Sequence, residues 1–139
     1  MRLLICLILI VNTALAKPIV IKSKIEKEVV LKYMDSLGVQ YPEIVWAQAV
    51  WETGSFRSKL FRYNNNMFGM RVARSRYTTA VGKQFGYARY LSWQESVIDY
   101  KYFQDRFIGK IRSKNDYFRY LDKYYSGSRR YSKSIKKLL

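Results

Sequence analysis

Glu52 is the residue whose type and setting point most directly to chemistry. It closes a stretch, residues 43–53, that is apolar almost all round through Ile44, Val45, Trp46, Ala47, Ala49, Val50 and Trp51. A helix apolar on every side is a buried one. Glu52 is therefore expected at the C-terminal end of a buried helix, beside Trp51, with Gln48 and Val45 one and two turns earlier on the same face. Burial disfavours the charged form of a carboxyl, and the negative end of the helix dipole acts the same way. Its pKa should climb from the usual value of about 4.3 toward neutrality. A carboxyl still protonated near neutral pH can hand its proton to a glycosidic oxygen. A glutamate paired with one of the chain's many arginines is the structural alternative that spacing leaves open.

A polar cluster follows. Residues 54–60 have the composition of a loop or short turn, and Asn64-Asn65-Asn66-Met67-Phe68-Gly69-Met70 sets amides beside an aromatic ring and a glycine. Amides can exchange paired hydrogen bonds with sugar hydroxyls and acetamido groups, and aromatic faces stack on pyranose rings. An Asn-rich run is equally the composition of a turn. Other chemistries drop out by composition: the 139 residues contain no His and one Cys, which excludes a Ser-His-Asp or Cys-His relay and a His-ligated zinc site. No cofactor and no metal are expected.

The elements that must position these residues can be read in outline. Residues 19–37 carry Ile21, Ile25, Val29, Leu31 and Met34 near helical spacing, with Gly38 as a stop. Pro42 suits the first position of the Glu52 helix, which ends before Gly54. Ser92 and Glu95 have the spacing of a capping box, opening a helix with Trp93, Val97, Tyr100, Gln104 and Phe107 roughly along one stripe. Residues 70–90 are rich in Val, Thr, Tyr and Phe and predict a small hairpin turning at Ala80-Val81-Gly82-Lys83. Residues 116–125 and 129–139 predict two short helices separated by Ser126-Gly127-Ser128. The sum is an α+β, mostly helical arrangement, one domain over residues 17–139.

Residues 1–16 are set apart from that domain. Met1 and Arg2, the apolar run 3–11 and the small residues of Thr13-Ala14-Leu15-Ala16 have the form of a secretory signal peptide. The run is shorter than the roughly 20 residues a spanning helix needs. Cleavage would remove Cys6, the single cysteine, and leave an exported chain without thiol chemistry. With 26 Lys+Arg against 10 Asp+Glu, a formal net charge of +16, the chain favours polyanions. Export directs that preference to anionic polymers of the cell envelope, periplasmic or extracellular, and away from specific nucleic acid. A monomer with no transmembrane segment after signal removal is expected.

From residue 43 to residue 139 the sequence resembles the bacterial glucosaminidases of glycoside hydrolase family 73, which cut peptidoglycan. Ala47-Gln48-Ala49-Val50-Trp51-Glu52-Thr53-Gly54 is similar to the family's AQAxLESG stretch, and Asn65-Asn66-Met67-Phe68-Gly69-Met70-Arg71 follows at the usual distance, similar to its NNLFGIK. Further on, residues 90–100 resemble its YxSxxESxxDY segment, and Tyr125 with Tyr131 has the spacing of its YATDxxY ending. Four segments in order are far more specific than any one of them.

The resemblance implies a lysozyme-like α+β fold with the hairpin beside the cleft, and hydrolysis of the β-1,4 bond after N-acetylglucosamine. It places Glu52 as the general acid, in agreement with the burial argument. Tyr125 takes the place of the family's functional tyrosine, with Tyr124 one residue out of register, and Gln48, Asn66, Phe68 and Tyr90 fall on motif positions assigned here to substrate binding. No amidase activity is expected. The sequence departs from the family in one respect: many members carry a second carboxylate on the hairpin, and residues 71–89 contain neither Asp nor Glu. Three routes work without a hairpin acid. The substrate's 2-acetamido oxygen could attack, oriented by Tyr125; Glu52 alone could run a lytic transglycosylation; or water could be held by a more distant acid such as Asp99 or Asp116. Glu95 has a sufficient role as the capping-box residue. A catalytically inactive basic wall-binding module is the reading from another class.

Overall fold

The computed structural model describes residues 25–128 and 130–139; residues 1–16, expected from their pattern to be a signal peptide, lie outside them. Among the described residues six short α-helices and one antiparallel hairpin follow in the order α1 (Lys27–Ser36), α2 (Pro42–Glu52), α3 (Lys59–Asn64), β1 (Gly82–Gln84), β2 (Tyr87–Arg89), α4 (Trp93–Phe103), α5 (Lys114–Tyr120) and α6 (Tyr131–Lys136). Both α4 and α5 run on into a π-helical turn, Gln104–Ile108 and Leu121–Tyr125. The architecture is mostly helical with one small β element. Among the described residues no helix is long and apolar enough to cross a membrane.

Of the first helix, expected over residues 19–37, residues 19–24 lie outside the described residues. Glu26 is extended, and helical geometry begins at Lys27 with Val30 and Met34 buried. Tyr41 enters α2 in the left-handed region at φ 52° and Pro42 supplies the first turn, whose missing N–H goes unneeded there. Ile44, Val45, Ala47, Gln48 and Ala49 of α2 are buried, and α2 packs against both α1 and α6.

The exit from α2 is abrupt. The Thr53 hydroxyl donates to Ala49 O at 2.6 Å and accepts from Phe56 N at 2.8 Å, while Gly54, Ser55 and Phe56 are all left-handed, at φ 55°, 57° and 63°. Two non-glycine residues in that region are costly. What holds them is the Phe56 ring, 5.2 Å from both Trp46 and Phe61, and Ser55 N donating to Val50 O at 2.8 Å. The turn sends the chain straight into α3, capped by Ser58, whose hydroxyl accepts from Phe61 N at 3.1 Å. The stretch predicted as a loop thus contains the start of a helix.

The hairpin turns later than expected. Gly82 and Lys83 lie in β1, paired with Arg89 and Ala88, and the reversal falls at Phe85-Gly86 with φ 55° and 85°. Positive φ at both central residues is the two-residue turn whose twist matches paired strands, and glycine makes the second position easy. The Ser92 cap is as predicted, accepting from Glu95 N at 3.4 Å, and Val97, Tyr100 and Gln104 face the core while Phe107 is exposed. One core runs through α1, α2, α4, α5 and α6, rich in aromatics.

Candidate active site

The Glu52 carboxyl stands at the end of α2 in the wall of an open cleft of about 530 Å³, shared with Phe68, Gly69, Arg71, Tyr87 and Tyr125. Burial pushes its pKa above the ordinary glutamate value, and a hydrogen bond from Tyr131 pulls partly back. Trp51 is not the source of that burial, because half of it is exposed. The surroundings come from the loop after α3 and from the tyrosines of the C-terminal helices.

Tyr131 Oη donates to Glu52 Oε1 at 2.6 Å. Sequence spacing singled out Tyr125 and used Tyr131 only as its partner six residues on, yet Tyr131 is the tyrosine that touches the acid. It is set by the start of α6, where Asp122 accepts from both the backbone N–H and the hydroxyl of Ser132, each at 2.7 Å. Tyr125 lies in the cleft wall, its ring 5.8 Å from that of Tyr131, and its hydroxyl donates to Phe68 O. With that proton committed, Tyr125 offers a ligand its ring and an oxygen acceptor.

Behind Tyr131 the hydrogen bonds form a directed chain. Gln104 Nε2 donates to Tyr117 Oη at 2.8 Å, and the Tyr117 and Tyr100 hydroxyls are 2.9 Å apart. Tyr100 Oη spends its one proton on Gln48 Oε1 at 2.7 Å, so Tyr117 must be the donor to Tyr100. Gln48 Nε2 then donates to Tyr131 Oη at 3.4 Å, and Tyr131 donates to Glu52. Every donor points toward the carboxyl, an arrangement in which each bond polarises the next.

The Asn-rich run builds the opposite wall. Asn66 Oδ1 accepts from Phe68 N at 3.2 Å and Met70 N at 3.1 Å, and its Nδ2 donates to Met70 O at 2.9 Å and Ala88 O at 3.0 Å. Asn64 and Asn65 donate to carbonyls of residues 84–91 in the same fashion. One buried amide side chain therefore folds the loop and fastens it to β2. The loop so held brings Gly69, at φ 64°, against the acid: a Cβ there would sit 3.3 Å from Glu52 Oε2. Gly69 is needed both for its backbone angle and for the close approach.

Of the residues assigned to substrate binding from sequence, only Phe68 lines the cleft, with its ring almost wholly buried. Gln48, Asn66 and Tyr90 are enclosed, with their polar atoms engaged inside the protein. Their place is beneath the site, which they shape through Tyr131, the 66–70 loop and Asp99. The more distant acids are also accounted for. Asp99 is fully buried, held by both Arg76 guanidinium nitrogens at 2.7 and 3.0 Å and by Tyr90 Oη at 2.7 Å. Asp116 lies in the first turn of α5, which Ser113 caps, and its pKa is lowered by the Ser113 hydroxyl and by Arg119. Neither lines the cleft, which removes the reading in which one of them holds a water there. Among the described residues Glu52 is the single carboxylate in that wall, and no group of three or more potential metal ligands is present.

A helical domain with a small hairpin, and one desolvated glutamate at a helix end facing an open cleft, define a glycosidase-like protein. The sequence over residues 27–139 matches the glucosaminidase family, described as mannosyl-glycoprotein endo-beta-N-acetylglucosaminidase, and the chain belongs to that family, whose domains are lysozyme-like. Protein bax of Escherichia coli (strain K12) is 46% identical over 57 residues, which are 41% of this chain and 21% of that protein. The chain thus aligns with about a fifth of that relative's length. No solved structure matches.

Proposed function

We propose that the protein is an endo-β-N-acetylglucosaminidase that hydrolyses the β-1,4 bond after N-acetylglucosamine in peptidoglycan, with Glu52 as its general acid. The observation that carries this reading is the Glu52 carboxyl itself, pushed toward its protonated form by burial, fixed at one oxygen by Tyr131 and open to a cleft. A bond from Tyr131 to Oε1 leaves the proton of the neutral acid on Oε2, the oxygen facing Gly69.

With one carboxylate in the wall, the reaction is substrate-assisted. Glu52 protonates the glycosidic oxygen as the C–O bond breaks, and the carbonyl oxygen of the 2-acetamido group closes on the anomeric carbon. Water then attacks that carbon from the vacated side and gives its proton to the Glu52 carboxylate. The acetamido group is released and the acid restored. In this reading Tyr125, whose ring and oxygen belong to the cleft wall, orients the acetamido group.

Export and attachment to the wall belong to the same proposal, supported by the form of residues 1–16 and by the net charge of +16. A basic surface that holds anionic polymers predicts co-sedimentation with purified sacculi at low salt and release at high salt; retention insensitive to salt would count against it.

The test of the reaction is a digest of purified peptidoglycan by residues 17–139 and by the Glu52→Gln variant, with products weighed before and after borohydride reduction. Reducible N-acetylglucosamine ends formed only by the unsubstituted protein support the proposal. Anhydromuramic ends would make it a transglycosylase, and binding without release would make it a wall-binding module.

A further inference from the structure

The cleft does not stop at the glutamate. Arg71 belongs to its wall and also to that of a second hollow of about 720 Å³, bounded by Val72, Arg74, Gly82, Lys83 and Gly86. One wall comes from the segment leading into β1 and the other from the hairpin itself.

The charge of this region is one-sided. Residues 71–89 hold Arg71, Arg74, Arg76, Lys83 and Arg89 and no acid. Arg76 is spent in the interior on Asp99. The other four make no ion pair among the described residues; Arg71 lies over the Tyr87 ring at 5.9 Å, and Arg71, Arg74 and Lys83 are exposed. Cations gathered along one hollow repel each other, and an anionic ligand relieves that repulsion. Arginine forks in particular match carboxylates.

Resting on the reading of the chain as a peptidoglycan hydrolase, we propose that this hollow is a subsite for the stem peptide attached to the glycan strand. Arg74 and Lys83 bind its free carboxylates and Arg71 stands at the junction with the cleft. Because Arg71 borders both hollows, a strand seated at Glu52 can carry its stem into the second one. The strand's sugars are uncharged once the lactyl carboxyl is joined to peptide, so its negative charge is carried by the stem. The volume is that of an ordinary pocket for a ligand of a few residues.

Binding by the Glu52→Gln protein tests this without requiring turnover. Three soluble glycan preparations serve as probes: strands with intact stems, strands with the stems removed, and strands whose stem carboxylates have been amidated. Intact strands should bind at least fivefold more tightly than either of the others at low salt. Adding Arg74→Ala with Lys83→Ala should erase that preference, while Lys133→Ala with Lys137→Ala, which removes equal charge from residues in neither hollow, should keep it. Equal affinity for the three probes overturns the subsite, as does a preference that survives the first pair or is lost equally with the second. A preference that follows the phosphate content of the strands overturns it too. Failure of the digest above would sink the hydrolase reading and leave this binding result standing on its own.

Discussion

Tyr131 and Glu52 lie 79 residues apart in the chain and meet at 2.6 Å, hydroxyl to carboxylate oxygen, with the tyrosine donating. The bond acts against burial: desolvation raises the acid's pKa and Tyr131 lowers it, so the acidity of Glu52 is the difference between two opposed effects. Removing the hydroxyl as Tyr131→Phe leaves burial unopposed. The alkaline limb of the pH–rate profile should then move to higher pH, while kcat falls about tenfold as the carboxyl loses its fixed orientation. A limb that moves down would show that the bond does not set the acidity of the catalytic group.

The same logic reaches further back along the chain of hydrogen bonds. Tyr100→Phe strips Gln48 Oε1 of its donor in the buried interior. That should cost about 1–3 kcal/mol of stability and shift the alkaline limb in the same direction as Tyr131→Phe by a smaller amount. An unchanged profile in a folded Tyr100→Phe protein would sever the outer part of the chain from catalysis.

Glu52→Gln removes the proposed proton donor and should reduce hydrolysis by about 10³-fold, but its effect on stability runs the other way. Because the folded-state pKa is raised, the native protein holds its Glu52 proton more tightly than the unfolded chain does. Stability contributed by this group is complete below the unfolded pKa and declines as pH rises through the folded one. The variant should therefore match the unsubstituted protein in acid and become relatively more stable toward neutral and alkaline pH. Urea titrations across that range measure it, and a stability difference that is flat with pH would contradict the raised pKa.

Gly69→Ala places a methyl group 3.3 Å from Glu52 Oε2 at a left-handed φ of 64°. The backbone term should cost about 1–2 kcal/mol, and the displaced carboxyl should lower kcat by more than the loss of folded protein explains. Activity per folded molecule, from parallel circular dichroism and digestion, separates the two.

Asp99→Ala leaves the Arg76 guanidinium, with its side chain 5% exposed, without its counter-charge and holding only Tyr77 O, and leaves the Tyr90 hydroxyl without its acceptor. Losing one member of such a pair should destabilise by about 3–5 kcal/mol. The protein that remains folded should retain its rate. A folded Asp99→Asn protein without activity would return Asp99 to the reaction.

Much of this was legible in the sequence where a local rule decides the outcome. Pro42 and Gly54 bracket α2, and Ser92 with Glu95 fixes the start of α4, because caps and breakers act over three or four residues. The raised pKa of Glu52 followed from the apolar character of residues 43–51, although the exposed Trp51 shows that the surfaces responsible come from elsewhere in the chain. Helix α3 escaped notice because six residues make too short a pattern for periodicity, and the hairpin was misplaced because Gly82 and Gly86 are equally good turn residues taken alone. The π-helical turns after α4 and α5 have no distinct composition. The roles of Gln48, Asn66, Tyr90 and Tyr131 depend on partners 22 to 83 residues away or on full enclosure, neither of which a motif position encodes.

The docking of α6 on α2 has a consequence for when the protein can act. Until that pair has closed, Glu52 lacks Tyr131 and the enclosure that α6 gives, and its carboxyl moves toward that of an ordinary glutamate, ionised at neutral pH. The acid is thus a product of the finished topology rather than of the helix that carries it. If the proposed hydrolysis holds, newly made or partly unfolded chains would leave glycan uncut, and glycan cleavage would report the completed fold more stringently than helix content does.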